Sequence, residues 1–146
     1  MFKSSISGHP IHIMLIHFPI AFLTLSALLD IFSIIYKNTH LAELAFYSLI
    51  LGTTSAIFAA GFGAMDLIKI KNDQAILRKA LLHGGLNVLW LMIFSVIAGI
   101  QLKQFPEINI LNNWVIILKT LIVVGLFYTN FLGGELVLHY GVGRKN

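Results

Sequence analysis

The chain has 146 residues, enough for one domain and too short for two, and 58% of them are hydrophobic against only 11% charged. A soluble domain carries roughly a quarter charged residues, so much of this surface is expected to face lipid. The absence of cysteine excludes disulfides, thiolate metal sites, iron–sulfur clusters and covalently attached c-type haem on this chain, and the basic residues behind the net charge of +4 flank apolar runs, as membrane-bordering charges do, which argues against a nucleic-acid surface.

Four apolar stretches follow one another, over residues 12–36, 41–70, 78–102 and 113–139, each long enough for a span of roughly 20 residues. The first lacks an A-x-A-type cleavage site and is expected to be retained as a helix, with Pro19 disturbing its hydrogen-bond ladder near Leu15 and freeing a carbonyl. The second carries Gly52, Ser55, Ala56, Ala59 and Gly63 on roughly the face that ends at Asp66. Such a stripe lets a neighbouring helix approach closely and also makes room for a flat cofactor. The third places His83, Asn87, Trp90 and Phe94 at i, i+4, i+7 and i+11, on one stripe. The fourth places Glu135 and His139 at i, i+4, with Tyr128 two turns below. The joints, 37–40, 71–77 and 103–112, are short, which predicts one all-α, up-down-up-down four-helix membrane bundle.

That topology gathers polar residues at the side carrying both termini. His9, His12 and His17 come from the first stretch, Asp66 from the second, His83 and Asn87 from the third, Glu135 and His139 from the fourth. His17, Asp66, His83 and Glu135 fall within roughly 6–9 Å of their helix ends. Only His40 lies on the opposite side, in a tight joint where solvation accounts for it. Ionisable groups inside membrane segments are costly and usually serve a site. Asp30 and Lys119 lie at matching depths near the opposite side and are expected to form an ion pair joining the first and last helices. Lys3, Lys69, Lys71, Arg78, Lys79, Arg144 and Lys145 lie on the termini side, against Lys37, Lys103 and Lys119 on the other. The excess predicts a multi-pass membrane protein with both termini in the cytoplasm.

The opening Gly8-His9-Pro10-Ile11-His12 followed by His17-Phe18-Pro19 resembles the G-H-P-x-H…H-F-P start of an uncharacterised bacterial family of four-helix membrane proteins, domain of unknown function 2231. Gly63-Ala64-Met65-Asp66, His83-Gly84-Gly85-Leu86-Asn87, and the tail Gly133-Gly134-Glu135-Leu136-Val137 with Gly141-Val142-Gly143 are similar to it as well. Ile13 departs from the pattern, standing where the family often has a second proline. The resemblance extends to di-haem b-type membrane cytochromes and implies redox work, although one layer of histidines suggests a single haem.

Three functions compete, with a proton-linked transporter a weaker fourth because four short helices leave little room for a pathway unless the protein oligomerises. The first is a haem b protein for electron transfer or redox sensing, with His17 and His83 as the preferred axial pair and His139 as the substitute. Asn87, Trp90, Phe94 and the small face of the second helix would line the ring, Arg78 or Lys79 would pair a propionate, and a redox partner protein would exchange electrons. The second is a non-haem transition-metal site (zinc, iron or copper) of a membrane metalloenzyme or metal carrier, drawing on His9, His12, His17, Asp66, His83, Glu135 and His139. The third is an accessory subunit whose polar layer only locks helices together. The sequence leaves enzymatic activity and oligomeric state open.

Overall fold

A computed structural model describes residues 5–6, 9–70 and 73–142, with side chains from residue 11 onward. The candidate ligand side chain of His9, and the basic residues Lys3, Lys71, Arg144 and Lys145, lie outside the described residues.

Two short strands, β1 (Ser5–Ile6) and β2 (His9–Pro10), pair antiparallel ahead of the helices. The helices are α1 (Ile11–Leu15), α2 (His17–Tyr36), α3 (Thr39–Leu67), α4 (Gln74–Leu102) and α5 (Asn113–Leu138). Helices α1 and α2 form one span interrupted at Ile16. Pro19 has no N–H to offer the Leu15 carbonyl, and the next bond, from Ile20 N–H to the Ile16 carbonyl, is stretched to 3.4 Å. Among the described residues there are therefore four helical spans long and apolar enough to cross a bilayer.

Polar caps decide where these spans begin. Asn38 accepts from the His40 N–H, Asp73 from the Ala75 and Ile76 N–H groups, and Asn112 from the Trp114 N–H. Each satisfies donors that the first helical turn leaves unpaired. Asp73 starts α4 four residues earlier than hydropathy suggested. At the end of α2, Lys37 adopts a left-handed conformation (φ 48°), and the Lys37 and Asn38 N–H groups bond the Ile34 and Ser33 carbonyls. This is a Schellman closure with lysine in the place glycine usually takes.

The packed neighbours are α2–α3, α3–α4, α4–α5 and α5–α2, closing a ring of alternating helices. The tightest seam is α2–α3. A methyl group on Gly52 would stand 2.7 Å from Leu23, so glycine is what admits Leu23 there. Leu23, Ala27, Leu49, Phe94, Ile97, Ile122 and Leu126 form a buried apolar core. Phe32, Ile35, Leu51, Phe58, Val96 and Phe131 point outward, an arrangement that satisfies the hydrophobic effect only in lipid. Lys119 and Asp30 are fully buried and ion-paired, and Ser26 accepts a second hydrogen bond from the Lys119 ammonium at 2.8 Å. The matching depths read from the sequence correspond to this contact between α2 and α5.

Candidate functional site

In the half of the bundle nearer the termini the helices part around a cavity of about 450 Å³, within the range typical of cofactor pockets, roughly 300–1,000 Å³. Its walls are mostly apolar: Ile13, Ile16, Pro19, Ile20 and Leu23 from the first span, Ala56, Ala59, Ala60 and Gly63 from α3, Trp90 and Phe94 from α4, and Leu126 and Val137 from α5. Two imidazoles, His12 and His83, also line it.

The two histidines are held in the same way. His12 Nδ1 lies 2.7 Å from the Ala59 carbonyl oxygen, and His83 Nδ1 lies 2.7 Å from the Thr129 carbonyl oxygen. A carbonyl can only accept, so in both rings Nδ1 carries the hydrogen and Nε2 is left as the basic nitrogen. Four residues beyond each carbonyl stands a glycine. A methyl group on Gly63 would come within 2.9 Å of His12 Cε1, and one on Gly133 within 2.6 Å of His83 Cε1. Each imidazole thus sits against bare backbone, one on α3 and one on α5. The separations in sequence are nearly equal, 47 residues from His12 to Ala59 and 46 from His83 to Thr129, so the two helical hairpins repeat one device. The two ring centroids lie 6.4 Å apart, with the planes inclined at 81°.

Asn87, one turn below His83, steadies the second histidine. Its amide nitrogen donates to the His83 carbonyl at 2.8 Å, and its carbonyl oxygen accepts from the Thr129 hydroxyl at 3.2 Å. No such network supports His12 among the described residues.

Two other predicted ligands, His17 and His139, are turned away. His17 is exposed and does not line the cavity. It begins α2, beyond the break at Ile16, whereas His12 belongs to α1. The pair lining the cavity is His12 with His83, which corrects the His17–His83 pairing. His139 is the residue just past α5, exposed, with its ring edge against Tyr140. Its position six residues beyond Gly133 puts it about 120° from the cavity-facing side.

Asp66 lies at the cavity margin and pairs with Lys69 at 2.9 Å, while Glu135 pairs with Lys79 at 3.1 Å, whose ammonium also lies 5.0 Å from the centre of the Tyr140 ring. Among the described residues no three of His, Asp and Glu come together as a metal-binding group. The mixed set of His12, His17, Asp66, His83, Glu135 and His139 is therefore not assembled, because each carboxylate is turned to a lysine and two of the histidines face outward.

The carbonyls of Ala59 and Thr129 escaped the sequence reading because backbone acceptors have no side-chain signature. The available signal was the recurrence of glycine at positions 63 and 133, at nearly equal distances after His12 and His83.

Residues 8–146 match the sequence profile of a family described as predicted membrane protein (DUF2231). No curated protein and no solved structure matches the chain at a significant level. The profile spans nearly all of the sequence, and it begins at the G-H-P-x-H segment that supplies His12; the chain belongs to the DUF2231 family of predicted membrane proteins.

Proposed function

We propose that this protein binds one b-type haem between His12 and His83 and serves electron transfer in the membrane. The observation that carries this reading is the closeness of two imidazoles in one apolar cavity. A metal–imidazole bond of about 2 Å, plus the distance from nitrogen to ring centre, requires centroids roughly 6.4 Å apart when two imidazoles hold one iron. The rings stand 6.4 Å apart. Further support comes from the apolar walls and from the glycines at 63 and 133, without which the imidazoles would not fit.

Both Nδ1–H groups are engaged by carbonyls, which leaves each Nε2 to serve as ligand. His12 and His83 would together hold the haem iron, and a haem held by two imidazoles would suit electron transfer. When bound, the haem supplies a one-electron iron couple. The residues around it exclude water and hold the ligands still, so little reorganisation accompanies the change of charge. A bare transition-metal ion is the weaker reading, because a closed structural site usually needs four protein ligands and the carboxylates here are committed to lysines.

The excess of Lys and Arg on the termini side supports placing the haem near the cytoplasmic face of a bacterial inner membrane, where a redox partner protein would exchange electrons with it. The test is the absorption and electron paramagnetic resonance spectra of the protein purified in mild detergent. The expected result is a Soret band with a ferric low-spin signal whose strong anisotropy matches imidazole planes at 81°. A protein that stays colourless when expressed with excess haem overturns the proposal.

A further inference from the structure

We propose that the cavity is loaded sideways, from the lipid, through the seam between α3 and α4, so that its ligand is an amphiphilic molecule dissolved in the leaflet nearer the termini, with its apolar ring entering first. Among the described residues, four both line the cavity and are exposed on the outside of the bundle: Ala64, Leu81, Gly85 and Val88. Leu81, Gly85 and Val88 share one strip of α4, at i, i+4 and i+7, and Ala64 belongs to α3. The lining residues from α1, α2 and α5 are buried or half-buried. The cavity therefore reaches the outer surface on one flank.

That flank meets acyl chains and not water. Leu81 and Val88 lie about 10 and 21 Å along α4 from its start at Gln74, within the depth of a hydrocarbon core about 30 Å thick. The opening carries no charge, and a Cβ added at Gly85 meets only open space, with nothing within 4 Å. The aqueous end is built differently. The Val142 N–H bonds the Leu136 carbonyl at 2.9 Å, folding the chain back after α5, and Val142 joins Leu67 and Ile70 in the lining. The Asp66–Lys69 and Lys79–Glu135 pairs flank that end. A ligand arriving from water would have to part these contacts, whereas one arriving from lipid meets an open apolar seam. The inference deepens the haem reading by naming the bilayer as the source of the ligand, and it rests on the same cavity.

Trp90 lines the cavity, and the only other tryptophan, Trp114, is 77% exposed at the opposite end of the bundle. A Trp114→Phe background therefore reports on Trp90 alone. In vesicles of phosphatidylcholine brominated along the acyl chain, ligand-free protein is expected to show quenched Trp90 emission. Gly85→Phe should reverse most of that loss by plugging the seam. Gly99→Phe adds the same ring to α4 at an open position outside the cavity and should leave the quenching as it was.

Hemin dissolved in the same vesicles should enter the Gly85→Phe protein several-fold more slowly than the Gly99→Phe protein, followed by the rise of the Soret band. Equal quenching in the Gly85→Phe and Gly99→Phe proteins overturns the lateral route, whatever hemin does. The predicted quenching pattern without any Soret band keeps the route and removes the haem reading instead.

Discussion

A methyl group on Gly63 would press to within 2.9 Å of His12, and one on Gly133 to within 2.6 Å of His83. These two glycines are there for the imidazoles, since a helix interior otherwise disfavours glycine. Gly63→Val and Gly133→Val are accordingly expected to lower haem affinity by about 10- to 100-fold, the range seen when the surroundings of a ligating histidine are disturbed. Titrating apo protein with hemin checks this, and an unchanged dissociation constant in both variants refutes the packing role. Asn87 has a different part. Asn87→Leu removes the bond to the His83 carbonyl and the acceptor for the Thr129 hydroxyl, yet leaves the Nδ1–carbonyl contact of His83 in place. Haem binding should persist while stability in detergent falls by roughly 0.6–1.7 kcal/mol, as for other polar contacts between membrane helices.

At the scale of elements, the Asp30–Lys119 pair ties α2 to α5 beneath the apolar core, with both side chains fully buried. Lys119→Met strands the Asp30 carboxylate in a low-dielectric interior and should cost about 3–5 kcal/mol, whereas the double replacement Asp30→Leu with Lys119→Met should recover much of that loss. Thermal unfolding in detergent distinguishes the outcomes; a double variant no more stable than the single one would show that the pair does more than satisfy itself. This contact was legible in the sequence because it depends only on depth, and depth follows from residue number and helix rise. The break at Ile16 was legible too, since proline leaves a particular carbonyl unpaired. Which histidines come together was not legible. It depends on rotation about the helix axis, and the interruption between α1 and α2 makes the phase of His12 relative to His17 unreadable from periodicity.

For the molecule as a whole, the four spans and their alternation followed from hydropathy and short joints, since a bilayer tolerates few other arrangements of such a chain. The gathering of His12 and His83 near one face followed from the same alternation. The sequence overstated the site, however, because counting ionisable residues in a layer cannot tell a ligand from a residue paired at the rim. Asp66 and Glu135 found lysines, and His17 and His139 found the outside. Orientation is open to test because the chain has no cysteine. With the termini in the cytoplasm, Glu107→Cys in the joint between α4 and α5 should react with a membrane-impermeant maleimide added to spheroplasts, and Gln74→Cys only after lysis. The reverse pattern would place the histidine pair near the outer face.

The most direct measurement is the haem content of four single variants, His12→Ala, His17→Ala, His83→Ala and His139→Ala, purified alongside the unaltered protein. The account predicts that the low-spin Soret signal is lost or converted to a five-coordinate form in His12→Ala and His83→Ala, and is retained in His17→Ala and His139→Ala. Loss of the signal in His17→Ala with retention in His12→Ala would contradict it.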